Sequence, residues 1–518
     1  MITKITIENF KGIGDQVEIP ICPITLLFGP NSAGKSTIMH AFHYAREVFE
    51  RHNLNADKTI AGGDFIDLGG FKNFVHNHDL GNTISLRFDL DLKGVNLPTY
   101  WDGNLLLSGT QQIKTGWVEI EIGWDDLHQR PSVQNYKVGF NGQEIGNIIS
   151  EKNMVVVSNF AMDKIMTQYI DEKSGDDEFI EPNDFLDDIL SSVDGELSNQ
   201  GYLCSLDQKD ALPLCDRPLP AIINSDPESP ESLQPTYSFI KIMSQVFVGM
   251  AEVVRNELQH FCYVGPLREK PSRGYVPPRF DDPSRWATGL GAWDALCSGE
   301  KVLIDFVNLW LSHEDLLNTG YTLSKRKYLQ LDEENPLYGL LVNHQAYDEI
   351  EDMAVELNNL PVRDEITLTN GSGITLGIQD VGEGIGQVIP VIVAAFYPKA
   401  SIVQIEQPEL HLHPTQQAVL GDLLICGATG KTRKPFIIET HSEHLILRIL
   451  RRIRETSKPG DIACPPAFGV TPDDLAVLYI QSRNSQVKII KIDVDKDGEF
   501  IQPWPDDFFE QDYHERFA

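Results

Sequence analysis

Apolar residues along the chain recur with two different periods, and the change from one to the other outlines its elements. Ile24-Thr25-Leu26-Leu27-Phe28 is a nearly continuous apolar run that predicts a buried strand; Ile38, Ala41, Phe42, Ala45 and Phe49 then share one face of a helix. Thr83 to Leu90 and Trp117 to Gly123 alternate apolar with polar, as strands with one wet face do, and Asn141-Gly142 has the composition of a hairpin turn. These predict antiparallel sheet through about residue 160. Thr236 to His260 returns to helical spacing, with Phe239, Ile242, Met243, Val246, Met250 and Val253, and Lys301 to Leu317 does the same around Trp310. Past residue 365, strand and helix alternate again. Ile366-Thr367-Leu368 and Ile374 to Ile378 read as strands, and a glycine-rich turn, Asp380 to Gly386, leads into a helix with Val388, Ile389, Val391 and Ile392. Ile402 to Ile405 is a short buried strand ending in Glu406, and Phe436-Ile437-Ile438 is another, followed by Glu439-Thr440-His441-Ser442.

Between the first buried strand and its helix lies Gly29-Pro30-Asn31-Ser32-Ala33-Gly34-Lys35-Ser36-Thr37. A glycine-rich turn in that context is a P-loop: successive main-chain N–H groups and the helix N-terminus cradle phosphate. Gly29 and Gly34 let the backbone approach, Asn31, Ser32, Ala33 and Thr37 complete the cradle, Lys35 carries a charge to the β- and γ-phosphates, and the Ser36 hydroxyl can ligate Mg2+. The chain is expected to bind a nucleoside triphosphate. A P-loop also needs an acidic group at the end of a neighbouring strand to hold Mg2+, and Glu406, about 370 residues downstream, fits. That separation implies an ATPase core divided by an insertion.

Composition narrows the picture. A chain of 518 residues, 41% apolar and 23% charged, has the make-up of a globular protein of two or three domains. No run approaches the ~20 apolar residues of a membrane helix, and the N-terminus lacks a signal-peptide core. Seven cysteines without a CxxC pair support neither a disulfide framework nor a zinc site, so the expectation is a cytoplasmic protein with reduced thiols. A net charge of −33 argues against a surface that binds nucleic acid everywhere, but not against local basic patches. Arg448, Arg451, Arg452 and Arg454, with Lys431-Thr432-Arg433-Lys434 nearby, form one such patch, open to two readings: a face paired with acidic neighbours, or a DNA, RNA or partner contact. Asp493 to Gly498 starts like an EF-hand loop, but Trp504 stands where its last ligand, a Glu, belongs, so a hairpin turn is expected.

The P-loop, the glycine-rich turn before a helix, the strand ending in Glu and the strand ending in Thr-His-Ser occur in the order of an ABC-type ATPase. Residues 1–90 and 360–450 resemble the head of SMC-like, RecF-like and OLD-like ATPases, and Ile7-Glu8-Asn9-Phe10-Lys11 is similar to that family's first strand and turn. The resemblance implies ATP as the nucleotide, Lys11 near it, and Glu406-Gln407-Pro408-Glu409 as the Walker B region. It also implies His441 as the switch histidine, and Gly382, Glu383, Gly384 and Gly386 as a degenerate signature loop that meets the γ-phosphate held by a second subunit. Tyr263-Val264-Gly265-Pro266-Leu267-Arg268 and Trp504-Pro505-Asp506-Asp507 look like motifs of defence-associated bacterial ATPases, nearest the PtuA-type ATPases of Septu and retron systems. The implied function is a nucleotide-gated regulator in anti-phage defence, a homodimer or higher oligomer through ATP, with an HNH-type nuclease partner acting in trans. Fewer than about 80 residues follow His441, too few for a fused nuclease domain with its own core. A RecF- or SMC-like repair or chromosome-maintenance ATPase and a non-hydrolysing nucleotide scaffold stay open as alternatives.

The expected fold is α/β: an ABC-type head with mixed sheets (residues 1–160 and 361–460), split by a mainly helical insertion (161–360), with a small β-rich C-terminal appendage (461–518). One departure from the family pattern bears on turnover. The pattern has Asp then Glu at the Walker B strand end, whereas this chain has Glu406 then Gln407. Gln407 cannot take a proton from attacking water, which predicts slow hydrolysis unless Glu409 or His441 substitutes. Gln407→Glu is therefore expected to raise phosphate release at saturating ATP by at least ~10-fold; an unchanged rate would remove Gln407 as the cause of slow turnover.

Overall fold

The computed structural model describes residues 1–505 apart from 99–112, 152–153, 162–202, 223–233, 300, 336, 339–341, 343–356, 431–432, 459–464 and 484–485. In chain order, β1 (Ile2–Glu8), β2 (Val17–Pro20) and β3 (Ile24–Phe28) precede α1 (Lys35–Arg51). A small two-stranded sheet, β4 (Lys58–Thr59) and β5 (Gly63–Asp67), follows. Then come β6 (Ile84–Asp91), β7 (Thr115–Asp125), β8 (Arg130–Phe140), β9 (Gln143–Glu151), β10 (Met154–Phe160) and β11 (Cys204–Leu206). The long helix α2 (Gln234–Gln259) leads to β12 (Cys262–Val264), α3 (Leu290–Ser298), α4 (Lys301–Ser312) and β13 (Tyr321–Leu329). The last stretch is β14 (Val362–Asn370), β15 (Thr375–Gly377), α5 (Glu383–Phe396), β16 (Val403–Glu406), α6 (Pro414–Thr429), β17 (Phe436–Glu439), α7 (Glu443–Ser457), β18 (Leu475–Arg483) and β19 (Gln486–Ile492).

The strands form two large sheets. One has eight strands in the order β11-β10-β9-β8-β7-β6-β1-β2, antiparallel throughout, and its strands alternate buried with wet positions as the sequence pattern demands. Asn141 and Gly142, both at positive φ (47° and 81°), make the two-residue turn between β8 and β9. The other sheet has the order β12-β16-β17-β3-β18-β19, parallel except for β19 at its edge. β3 is buried along its whole length, which explains its unbroken apolar run. Leu27 packs into a core shared with α1, α2 and the antiparallel sheet, whereas Ile24, Leu26 and Phe28 pack into a second core against α5, α6 and α7. One strand thus separates two cores, and its C-terminal end opens directly into the Gly29–Thr37 loop. A third, three-stranded sheet, β13-β14-β15, stands beside α3 and α4.

Several elements differ from the sequence expectation. Segment 161–360, read as mainly helical, also supplies β11 to the antiparallel sheet, β12 to the parallel one and β13 to the third. Phe261 to Val264 is too short an apolar run for periodicity to tell strand from helix, so only its partner β16 decides. The acidic stretch Asp171 to Glu196 lies outside the described residues. The C-terminal region is not an appendage: β18 pairs in parallel with β3 from Leu475↔Ile24 to Tyr479↔Phe28. The helix expected over Lys301 to Leu317 stops at Ser312, where the chain turns and Leu317 N–H donates to the Trp310 carbonyl (3.1 Å). The glycine-rich turn is shorter than expected, because α5 starts at Glu383 and takes Gly384 and Gly386 into its first turns. The Asp493–Gly498 segment is a turn, closed by Gly498 N–H on the Asp495 carbonyl (3.1 Å) and followed by a Val494–Phe500 bridge.

Pairing β18 to β3 makes the C-terminal segment part of the parallel sheet. Trp504 stacks edge-on against Phe28 (ring centroids 5.3 Å apart) and Phe500 (5.1 Å) on the same side. A chain truncated after Val470 is expected to melt well below the full chain, because β3 loses its parallel partner β18. Calorimetry of the truncated chain checks this, and a transition close to that of the full chain would contradict it.

Candidate nucleotide site

The carboxyl ends of β3, β16 and β17 lie side by side, and each carries one part of the site. After β3 the backbone turns through Gly29 (φ 140°) and Gly34 (φ 105°), regions only glycine adopts without strain. Close packing adds a second reason: a Cβ at Gly29 would sit 2.1 Å from the Ile480 carbonyl oxygen, and one at Gly34 2.7 Å from the Val487 side chain. Both neighbours belong to β18 and β19, so the C-terminal hairpin braces the loop. Gly34 caps α1 without a side-chain hydrogen bond; its carbonyl takes the Thr37 N–H (3.0 Å), which leaves the N–H groups of Lys35 and Ser36 to an anion. Asn31 and Ser32 are exposed at the rim, with Ser32 left-handed (φ 62°); Ser36 and Thr37 are half-buried, and Ala33 is buried.

Lys35 is buried, with 3% of its surface exposed. Its ammonium donates to the carbonyls of Gly29 (2.9 Å) and Pro30 (3.0 Å) and lies 3.6 Å from Glu439 Oε1. Burial lowers its pKa, against the pull of Glu439. The Ser36 hydroxyl donates to Glu439 Oε2 (3.1 Å). On the paired strands Glu406 and Glu439 stand directly opposite each other. Burial, and then the neighbouring Glu439, push the Glu406 carboxyl up to about 7; a hydrogen bond from the Tyr263 hydroxyl to its Oε1 (2.9 Å) works the other way.

Glu409 is not free to act as a base. Its Oε2 accepts from the Thr440 hydroxyl (2.9 Å) and its Oε1 from the His441 main-chain N–H (2.7 Å), which ties the turn after β16 to the turn after β17. His441 keeps a buried Nε2 with no hydrogen-bond partner among the described residues, and burial, then Lys35, lower its pKa, so its ring is neutral at pH 7. Gln407, left-handed at φ 45°, donates its main-chain N–H to the Glu439 carbonyl (2.7 Å) and continues β16 past its last residue. Lys11 reaches α1 one turn beyond Ser36, where its ammonium meets His40 Nδ1 (2.6 Å); burial lowers the lysine pKa to about 8.

Gly382 and Glu383 are exposed at the start of α5. Gly384 approaches the His411 carbonyl, where a Cβ would come within 2.7 Å, so packing against main chain requires a glycine there; at Gly386 a Cβ would meet only the flexible Lys270 stem (2.6 Å). The basic patch is engaged internally: Arg448 and Arg452 both bind Asp422 (2.5 and 2.7 Å), Arg451 binds Glu455 (2.7 Å), and Arg454 binds Glu499 (3.2 Å). This is the acidic-neighbour reading of that face. The Lys431 and Thr432 part of it lies outside the described residues.

Three residues of the site were missed from the sequence. Glu439 contacts both Lys35 and Ser36, and it ends an apolar strand as Glu406 does; that parity was the available signal. Tyr263 holds Glu406, and the buried Arg268 donates to the carbonyls of Glu406 (2.5 Å) and Gln407 (3.2 Å). The Tyr263–Arg268 motif, distant in sequence, thus belongs to the same site. The Ser36 hydroxyl with the carboxylates of Glu406 and Glu439 is the hard-oxygen donor set that Mg2+ takes beside phosphate oxygens, so these residues fit that ion.

Two family models match separate parts of the chain: "AAA ATPase domain" over residues 1–203, and "AAA domain, putative AbiEii toxin, Type IV TA system" over residues 302–448. The chain is thus similar to AAA-type ATPase domains in both halves. No curated protein matches it. Among solved structures it is similar to an SMC head bound to the C-terminal winged-helix domain of ScpA (11% identity, 96% of this chain and 98% of that one, TM-score 0.37). It is also similar to the SMC head domain from Thermotoga maritima (9% identity, 95% and 99%, TM-score 0.36). A third is an SMC head from Pyrococcus furiosus, bound to the C-terminal domain of ScpA (11% identity, 95% and 96%, TM-score 0.36).

The raised Glu406 pKa has a consequence for stability. The folded chain holds this proton up to about pH 7, whereas an unfolded Glu releases it near 4.5. The stabilising contribution is complete below about pH 4.5 and is lost as pH rises through about 7. In the nucleotide-free protein, Glu406→Gln is expected to flatten the fall of melting temperature across that window. Identical slopes for wild type and variant would contradict the assignment.

Proposed function

We propose that this chain is an ATP-binding, slowly hydrolysing ATPase that uses nucleotide to switch between separate and paired copies of itself. The observation that supports it best is the meeting of Lys35, Ser36, Glu406 and Glu439 at three adjacent strand ends, next to a glycine-lined helix N-terminus. In this reading the Gly29–Thr37 loop binds the β- and γ-phosphates, Lys35 screens their charge, and Ser36, Glu406 and Glu439 hold Mg2+. When bound, that ion would neutralise charge developing on the transferred phosphoryl group. Glu406 must give up its proton to serve as ligand, which the ion's charge favours. His441, neutral and with Nε2 unpaired, is placed to accept a hydrogen bond from water or donate one to phosphate, while Gln407 orients water without removing its proton.

The exposed Gly382 and Glu383 at the start of α5 are the surface that would close over the nucleotide of a second copy. Because the γ-phosphate would then touch two chains, ATP would favour the paired state and hydrolysis would release it. The resemblance to defence ATPases supports a regulatory role in anti-phage defence, with an HNH-type nuclease partner doing the damage in trans. Lys35→Ala is expected to weaken ATP binding about 100-fold by removing a buried charge-assisted contact. Light scattering with a non-hydrolysable analogue should show pairs for the wild type and single chains for the variant. Wild-type chains that bind the analogue and stay single would overturn the pairing, and a Lys35→Ala chain that binds ATP normally would overturn the site.

A further inference from the structure

A cavity of about 440 Å³ shares none of its lining residues with the nucleotide site. It lies where the three-stranded sheet, α3 and the 271–275 loop meet. Bonds within the chain hold its walls. The Gln379 side chain donates to the Pro271 carbonyl, the Tyr275 hydroxyl lies between Asp294 and Arg285, and Arg326 donates to Thr375 Oγ1 (3.1 Å). Charges at the rim balance. Arg273 pairs with Asp380 (2.6 Å), and Arg326 stands opposite Glu365 in the β13–β14 register. The cavity therefore selects neither an anion nor a cation.

Three of the side chains that line it are short of partners. Trp293 is fully buried, and its indole Nε1–H has no acceptor among the described residues. Thr367, 5% exposed, keeps a buried hydroxyl with no partner among them either. Asp364 uses one oxygen only: Oδ2 lies 3.5 Å from the Lys325 ammonium, which also donates to the Cys297 carbonyl, while Oδ1 is buried and unpaired. Buried polar atoms in this state cost free energy until something meets them.

What would meet all three has a definite chemistry. It accepts a hydrogen bond from the indole, donates one to the carboxylate and shares one with the hydroxyl. Donors and acceptors fixed side by side on one rigid body describe the edge of a purine or pyrimidine. The rings of Tyr275 and Trp293, with Ile366 and Ile378, give such a flat body apolar contact. The volume falls within the range of small-molecule sites.

We propose that this cavity is a second binding site, for a neutral purine or pyrimidine nucleoside, in which Trp293, Thr367 and Asp364 read the edge of the base. Trp293 Nε1–H donates to a ring nitrogen or carbonyl of the base, Asp364 Oδ1 accepts from its amine or ring N–H, and the Thr367 hydroxyl completes the edge. The assignment is independent of the ATP reading, because a nucleoside carries no phosphate for the Gly29–Thr37 loop to hold.

Calorimetric titration of the full-length chain with adenosine, guanosine, cytidine and uridine in turn tests it. At least one of the four should bind saturably. Thr367→Val should weaken that binding at least ~5-fold. Its melting temperature should not fall, since the hydroxyl it removes has no partner among the described residues. Asp364→Asn, which replaces an acceptor oxygen with a donor, should weaken binding by at least as much and serves if Thr367→Val does not fold. Lys35→Ala should bind the nucleoside as the wild type does. Binding of none of the four would overturn the proposal, leaving bound water as what meets these atoms. Unchanged affinity in Thr367→Val or Asp364→Asn would overturn it too, as would loss of binding in Lys35→Ala, which would move the nucleoside to the nucleotide site. A Lys35→Ala chain that still binds ATP normally would sink the ATP site and leave this one standing.

Discussion

Two carboxylates, Glu406 and Glu439, are held directly opposite each other on neighbouring parallel strands, and the site is built around that conflict. Like charges so placed repel, and burial adds to the penalty on the ionised pair. The chain answers with a buried lysine beside Glu439, a tyrosine hydroxyl on Glu406 and a buried arginine on the main chain behind it. None of these cancels the conflict, since Glu406 still holds its proton up to about pH 7. A divalent cation with a triphosphate is the ligand that would resolve it, and a nucleotide bound there would have leverage on the surrounding strand ends.

That leverage depends on how firmly the strand ends are fixed. β3 is a wall between two cores, so the loop at its end cannot shift without disturbing either. β18 lies against β3, and β18 and β19 place Ile480 and Val487 where any side chain on Gly29 or Gly34 would collide. The Gly29–Thr37 loop is thus braced by residues about 450 positions away in the chain. The turns after β16 and β17 are cross-linked by Glu409, whose two oxygens are used for that purpose. A carboxylate beside a nucleotide site can therefore be structural, and its presence near Gln407 does not supply a base.

The chain's strong negative charge and its arginine-rich helix α7 are reconciled in the same way. Arg448 and Arg452 share the buried Asp422, and Arg451 and Arg452 share Glu455. Arg448 and Arg452 fix α7 against α6 and are engaged in doing so, while Arg451 pairs along its own helix, which is why a cluster of arginines in sequence is not by itself a surface for nucleic acid.

Local sequence determined the parts whose physics is local. The Gly29–Thr37 loop, the helix behind it, the alternating strands β6 and β7 and the Asn141-Gly142 turn were all legible, because steric freedom at glycine and the periods of helix and strand act over a few residues. Glu406 was legible for the same reason, as the polar end of a short apolar run. Tertiary structure alone decided that Glu439 meets Lys35 and Ser36, that Tyr263 and Arg268 stand behind Glu406, and that residues after 470 complete the parallel sheet. Each of these rests on pairing between distant strands, and a three-residue strand such as β12 carries no pattern that names its neighbour.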